Sequence, residues 1–161
     1  MKFTEDQLIG YMGRCIELAL QTEGYIKRPH VGAIVLSENG RIIGEGRKRH
    51  INGTKYSILH AERVALNEAE GEEPFCLVTT LEPCYRSDKQ LLSSCAELIV
   101  NRGIKSVVFG TIDISTVVNS CVGINYLRKH GIETIVFNTY KKDILRNLRL
   151  DKYNLDNKRG F

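Results

Sequence analysis

No stretch of this chain approaches the roughly 20 uninterrupted apolar residues that a membrane-spanning helix requires, so the sequence predicts no span. Its polar, acidic start, Met1-Lys2-Phe3-Thr4-Glu5-Asp6, lacks the basic and then apolar order of a secretory signal, and a cytoplasmic location is the expectation. Internal repeats, low-complexity tracts and linker-like segments are also missing. At 161 residues and 42% hydrophobic, the chain is long enough for one well-buried core and too short for two ordinary domains. An even set of cysteines is lacking too: there are five, at positions 15, 76, 84, 95 and 121. An odd count without a signal points to thiols or metal ligands over disulfides, because reducing compartments keep thiols free.

Up to residue 140 the chain has no excess charge of either sign, with sixteen basic and sixteen acidic side chains. The net charge of +4 therefore resides in residues 141–161, where Lys141, Lys142, Arg146, Arg149, Lys152, Lys158 and Arg159 face only Asp143, Asp151 and Asp156. Such a tail offers contact to nucleic acid or phosphorylated ligands, or is a solvated final helix.

What is present alternates between helical and strand periods, the pattern of a three-layer α/β/α sandwich around a mixed sheet of five strands. Thr4 with Gln7 reads as a capping box, and Leu8, Met12, Cys15, Ile16 and Ala19 then recur at helical spacing as far as Gly24. Residues 31–36 and 41–46 flank Asn39-Gly40, a hairpin signal, and Asn52-Gly53 marks a second turn in a polar excursion. Residues 60–70 read as a helix with Ala61, Val64, Ala65 and Ala69 inward and Gly71 stopping it. A strand at 75–80, a helix at 95–102 ended by Gly103, and a strand at 105–110 follow. Beyond them lie a helix near 118–129 ended by Gly131, a strand at 133–137 and a closing helix at 141–150. The strands after residue 60 are expected to pair in parallel, with the opening hairpin antiparallel beside them.

The chemistry is carried by His60-Ala61-Glu62, by Pro83-Cys84 after twenty intervening residues, and by Cys95 after ten more. Imidazole and thiolate are good zinc ligands, and three of them leave the fourth tetrahedral position for water, as a catalytic site needs. One Zn2+ per chain is the expectation, held by His60, Cys84 and Cys95. Each ligand is predicted at or just before a helix start, where free N–H groups and the helix dipole favour thiolate. Two positions apart, His60 and Glu62 would not share a helix face, so the metal is expected off the helix end, with Glu62 as the acid–base residue beside it. A His-x-Glu followed by Pro-Cys-x-x-Cys is the signature of zinc base deaminases, and here the interval between the cysteines is longer. The buried-cysteine alternative is assigned to Cys15 and Cys76, which read as core packing.

Across residues 8–138 the chain resembles the cytidine deaminase superfamily, and within it the deaminase domain of the bifunctional enzyme of bacterial riboflavin biosynthesis. The likeness rests on Pro29-His30-Val31-Gly32, Gly44-Glu45-Gly46, His60-Ala61-Glu62 and Thr80-Leu81-Glu82-Pro83-Cys84 with an extended loop before Cys95. It continues through residues 101–108, Asp113, Gly123-Ile124 and residues 127–132. The resemblance implies a deaminase domain over residues 1–140, with residues 141–161 a basic helix and tail of the same domain. It implies hydrolytic replacement of an exocyclic amine by a carbonyl on a small nucleobase or nucleotide-like substrate, and assembly as a homodimer or larger homo-oligomer.

Departures from the family bear on the substrate. Arg28 stands where an asparagine usually precedes the proline, Cys121 where a glycine is common, and residues 85–94 replace the family's usual loop between the cysteines. The reductase domain that normally follows has no counterpart in these residues. Arg28, Ala61 and Asp113 are the candidate substrate contacts, and Arg47-Lys48-Arg49-His50 is a candidate phosphate grip or a solvated hairpin end. A deaminase of nucleosides, nucleotides or nucleic-acid bases, the tRNA adenosine deaminases among them, and a zinc-binding module without turnover are the alternatives on the same scaffold.

Overall fold

Thr4 closes the first turn of the chain with a reciprocal cap, its side chain accepting from the Gln7 N–H while the Gln7 side chain accepts from the Thr4 N–H. From there the computed structural model describes residues 2–22, 29–51, 58–86, 92–112 and 121–147. The capped helix α1 (Glu5–Leu20) ends short of Gly24, because the Gln21 N–H already closes its last turn on Glu17 and Leu18. Leu8, Met12, Cys15 and Ala19 are buried along one stripe, as their spacing predicts.

Strands β1 (Gly32–Leu36) and β2 (Ile42–Arg47) form the expected hairpin, with Gly40 at φ +84° in the turn. The polar excursion contains an element the sequence did not announce, a two-stranded ladder of β3 (Arg49–His50) and β4 (Ile58–Leu59). The Asn52-Gly53 turn lies outside the described residues. Then come α2 (Ala61–Glu68), β5 (Cys76–Leu81), α3 (Cys95–Asn101), β6 (Ser106–Thr111), α4 (Val122–Lys129) and β7 (Glu133–Val136). A 3-10 turn (Asn138–Tyr140) leads into α5 (Lys141–Asn147).

The main sheet has the order β2-β1-β5-β6-β7. Strand β1 is antiparallel to both neighbours, whereas β5, β6 and β7 run parallel, as βαβ crossovers require. Helices α1 and α5 cover one face, where Met12 and Ile144 both converge on Gly110. Helices α2, α3 and α4 cover the other. The result is the mixed five-stranded sheet between two helical layers. Strands β5 and β6 are buried along their whole length, and the fully buried Phe109, Leu77, Ile34, Leu36, Leu66, Ile99 and Leu127 fill the space between layers. Cys15 and Cys76 are buried in that core, and burial pushes both thiols up, Cys76 to about 11. Among the described residues no helix is long and apolar enough to cross a membrane.

Two glycines fix where α2 lies. A Cβ on Gly44 would meet the Ala65 carbonyl oxygen at 2.1 Å, and one on Gly46 would meet the Ala61 carbonyl oxygen at 2.1 Å. The Gly44-Glu45-Gly46 run thus lets the helix backbone rest directly on β2. At its far end Arg102, the residue after α3, donates to the Leu66 and Ala69 carbonyls and satisfies the last turn of α2. Between the two glycines, Glu45 points to the opposite face and accepts from the Arg14 guanidinium through both carboxylate oxygens, at 2.7 and 2.8 Å.

Candidate metal centre

Helix α2 begins at Ala61, with His60 in extended backbone as its N-cap, so the imidazole lies beyond the helix end and not on its side. Helix α3 begins at Cys95 itself, and Ser94 with Glu97 caps it reciprocally. Cys84 does not precede a helix. Residues 82–86 are irregular backbone leaving β5, and the helix that serves this thiol is α3: the Cys95 N–H points to Cys84 Sγ at 3.5 Å, and the Ala96 N–H donates to the Cys84 carbonyl at 3.0 Å. The expected dipole assistance is therefore supplied across space by another element's first turn.

These three turns bring His60, Cys84 and Cys95 to one point, their ligand atoms all within 4.8 Å of one another. Both sulfurs lie 3.5 Å from His60 Nδ1. Zinc bonds of about 2.3 Å to sulfur and about 2.0 Å to nitrogen, at tetrahedral angles, put neighbouring ligand atoms roughly 3.5 to 3.8 Å apart. The donor set and its spacing fit one zinc ion. Glu62, buried on the first turn of α2, brings Oε2 to 3.8 Å from Cys95 Sγ, beside the cluster instead of within it.

The electrostatics follow from this crowding. A hydrogen bond from Cys95 and the neighbouring His60 favour the Cys84 thiolate, pulling that group down to about 4. The proton held against Cys84, together with burial, pushes Cys95 well above the usual thiol range. His60 is raised by its hydrogen bond with Cys84 and by the nearby Glu62, against the effect of its own burial. Burial pushes the Glu62 carboxyl above the usual carboxylate range, opposed by the positive charge of His60 and, more weakly, of Lys48.

Of the other sequence-predicted contacts, Ala61 is fully buried at the head of α2 with its carbonyl against Gly46. Arg28 and Asp113 lie outside the described residues, as does most of the basic tail. Lys48 of the Arg47-Lys48-Arg49-His50 run acts electrostatically on both His60 and Glu62. Sequence reasoning missed the Ser94 cap, although Ser94-x-x-Glu97 is itself a capping-box signature. It also missed the buried Glu82, whose partner is distant in the chain.

Residues 5–111 match the model of the cytidine and deoxycytidylate deaminase zinc-binding region. A diaminohydroxyphosphoribosylamino-pyrimidine deaminase of Buchnera aphidicola subsp. Schizaphis graminum is 36% identical over 124 residues, covering 76% of this chain and 78% of that protein. The riboflavin biosynthesis protein RibD of Actinobacillus pleuropneumoniae is 36% identical over 129 residues, 79% of this chain, which spans only 32% of that relative's length. Among solved structures, a diaminohydroxyphosphoribosylaminopyrimidine deaminase/5-amino-6-(5-phosphoribosylamino)uracil reductase from Thermotoga maritima superposes with a TM-score of 0.77 at 34% identity. That match covers 94% of this chain and 42% of the other.

Proposed function

Since the chain belongs to the cytidine and deoxycytidylate deaminase zinc-binding family, we propose that it deaminates a diaminopyrimidine carrying a ribose phosphate, the reaction for which its relatives of riboflavin synthesis are named. The observation that carries this reading is the convergence of His60, Cys84 and Cys95 beside a buried carboxylate, Glu62. Identity of 36% to the Buchnera deaminase, over most of both chains, supports the substrate class.

In this reading His60 Nδ1 and the sulfurs of Cys84 and Cys95 hold the zinc. Bound zinc makes hydroxide available near neutral pH, by lowering the pKa of water from 15.7 towards ~7. Glu62 takes the proton that water must lose as it adds to the ring carbon bearing the amine. The carbon–oxygen bond forms, the carbon–nitrogen bond breaks, and the protons end on ammonia. Burial suits Glu62 to both halves of that task, because a carboxyl held above its usual range keeps a proton long enough to deliver it. Its place on the first turn of α2, one residue past Ala61, keeps it next to the metal without making it a fourth ligand.

The test is ammonia release by the zinc-loaded chain against a panel: the diaminopyrimidine ribose phosphate, cytosine and adenine nucleosides and nucleotides, and single-stranded DNA and RNA. Turnover of the diaminopyrimidine, lost in Glu62→Ala, is the expected result. Preference for a nucleotide or a nucleic acid would reassign the substrate, and silence across the panel with zinc bound would favour a module without turnover.

A further inference from the structure

Helix α4 touches the segment that carries Cys84 at three successive places. Its own N-cap residue, Cys121, sits in the left-handed region at φ +68° and gives no side-chain cap. The cap comes from another part of the chain: Glu82, 5% exposed at the end of β5, accepts from the Ile124 N–H at 3.2 Å in the first turn of α4. There its charge meets the positive end of the helix dipole. One residue on, Gly123 lies so close to Pro83 that a Cβ would sit 2.0 Å from the Pro83 carbonyl oxygen. Two residues further, Tyr85 stacks on Tyr126 with ring centroids 4.2 Å apart, and Tyr126 in turn lies 4.3 Å from the His130 ring. Cys84 is the residue enclosed by these contacts, and it is held from the other side by the first turn of α3.

We infer that Glu82 is a positioning residue for the metal centre, which docks α4 on the Glu82–Tyr85 segment and thereby aims Cys84 Sγ at the point shared with His60 and Cys95. Irregular backbone leaving a strand has no ladder to fix its course, and this one is fixed by the ends of two helices. Glu82 acts through its neighbour and touches neither metal nor substrate. The inference rests on the assignment of Cys84 as a zinc ligand, and the experiment separates the two.

The full chain and its Glu82→Ala, Glu82→Gln, Gly123→Ala, Leu127→Ala and Cys84→Ala variants are titrated with zinc against a chelator, and their cobalt-substituted forms are compared by visible absorption. Glu82→Ala is expected to weaken metal affinity roughly 10- to 100-fold, the range over which groups behind metal ligands act, and to shift the cobalt–thiolate bands. Gly123→Ala is expected to do the same with Glu82 intact, and Glu82→Gln, which keeps an oxygen for the Ile124 N–H, to lie close to the parent. Leu127→Ala, in the buried side of the same helix, controls for lost stability alone. Unchanged affinity and unshifted bands in Glu82→Ala overturn the inference, as does equal weakening in Leu127→Ala at matched loss of stability. If Glu82→Ala does not fold, Gly123→Ala decides in its place: weakened affinity with shifted bands supports the docking of α4, and parent-like binding overturns it. Parent-like metal binding by Cys84→Ala would mean that the ligand assignment itself had failed, whereas weakening there without weakening in Glu82→Ala removes only the role of Glu82.

Discussion

Two glutamates lie buried beside the metal centre, and their surroundings give them different work. Glu82 is tied to a backbone N–H at a helix start, an environment that holds a carboxylate as an anion. Glu62 is pushed the other way by burial, which favours the protonated acid. Glu62→Gln, of nearly the same shape, is therefore expected to bind zinc as the parent does and to lose turnover by at least 10²- to 10⁴-fold, the usual share of a positioned acid–base group. Metal analysis beside steady-state kinetics checks this, and retained turnover would remove Glu62 from the mechanism. Glu45 shows the opposite titration at the sheet's other face. The Arg14 guanidinium holds its carboxyl below the usual range, so its stabilising effect is present above the unfolded value near 4.3 and is lost as pH falls through the lower folded value. Denaturant midpoints for Glu45→Gln should accordingly fall below the parent's at pH 7 and converge with them near pH 3. A constant gap would show that the pair contributes by packing alone.

At the scale of elements, the metal site depends on how closely α2 rests on β2. Gly46 permits that approach at the residue facing Ala61, next to both His60 and Glu62. Gly46→Ala has to displace the head of α2, at a cost of about 1–3 kcal/mol for an overfilled contact. Chelator competition and thermal melts should show metal affinity and stability falling together, and a neutral outcome would mean that the helix head can shift without moving the ligands. Much of this scale was legible in the sequence, because its signals are local. The Thr4 cap, the Asn39-Gly40 hairpin, the stops at Gly71, Gly103 and Gly131 and the two kinds of periodicity each operate within a few residues. The positive φ at Cys121 also gives a physical reason for the glycine common at that place in the family. What was not legible is what one segment does for another: the amide serving Cys84 comes from α3, and the cap of α4 comes from β5. The short β3–β4 ladder was hidden because two residues per strand carry no readable period.

For the molecule as a whole, the ligands arrive from three separate turns, so a complete site exists only in the folded chain. Metal binding then adds to folding free energy, and chelation of the zinc is expected to lower the melting temperature. Acid should do so as well. Cys95 and His60 hold protons more firmly than free thiols and imidazoles do, and zinc must displace them. Affinity should therefore weaken by about tenfold per pH unit for each proton released as pH falls from 8 to 6, which titration at several pH values with a proton-release assay would establish. Affinity independent of pH would show that the ligands are already deprotonated in the metal-free protein.

The order of segments along the chain gives the docking of α4 a temporal meaning. A ribosome completes the ligand set at Cys95, while the helix that steadies Cys84 through Glu82 ends only at Lys129. At synthesis rates of ~5–20 residues per second the interval lasts roughly 2 to 7 seconds. During it a nascent chain holds three ligands without the helix that steadies one of them, so metal captured early can still exchange, and the ion is secured only when α4 emerges and docks.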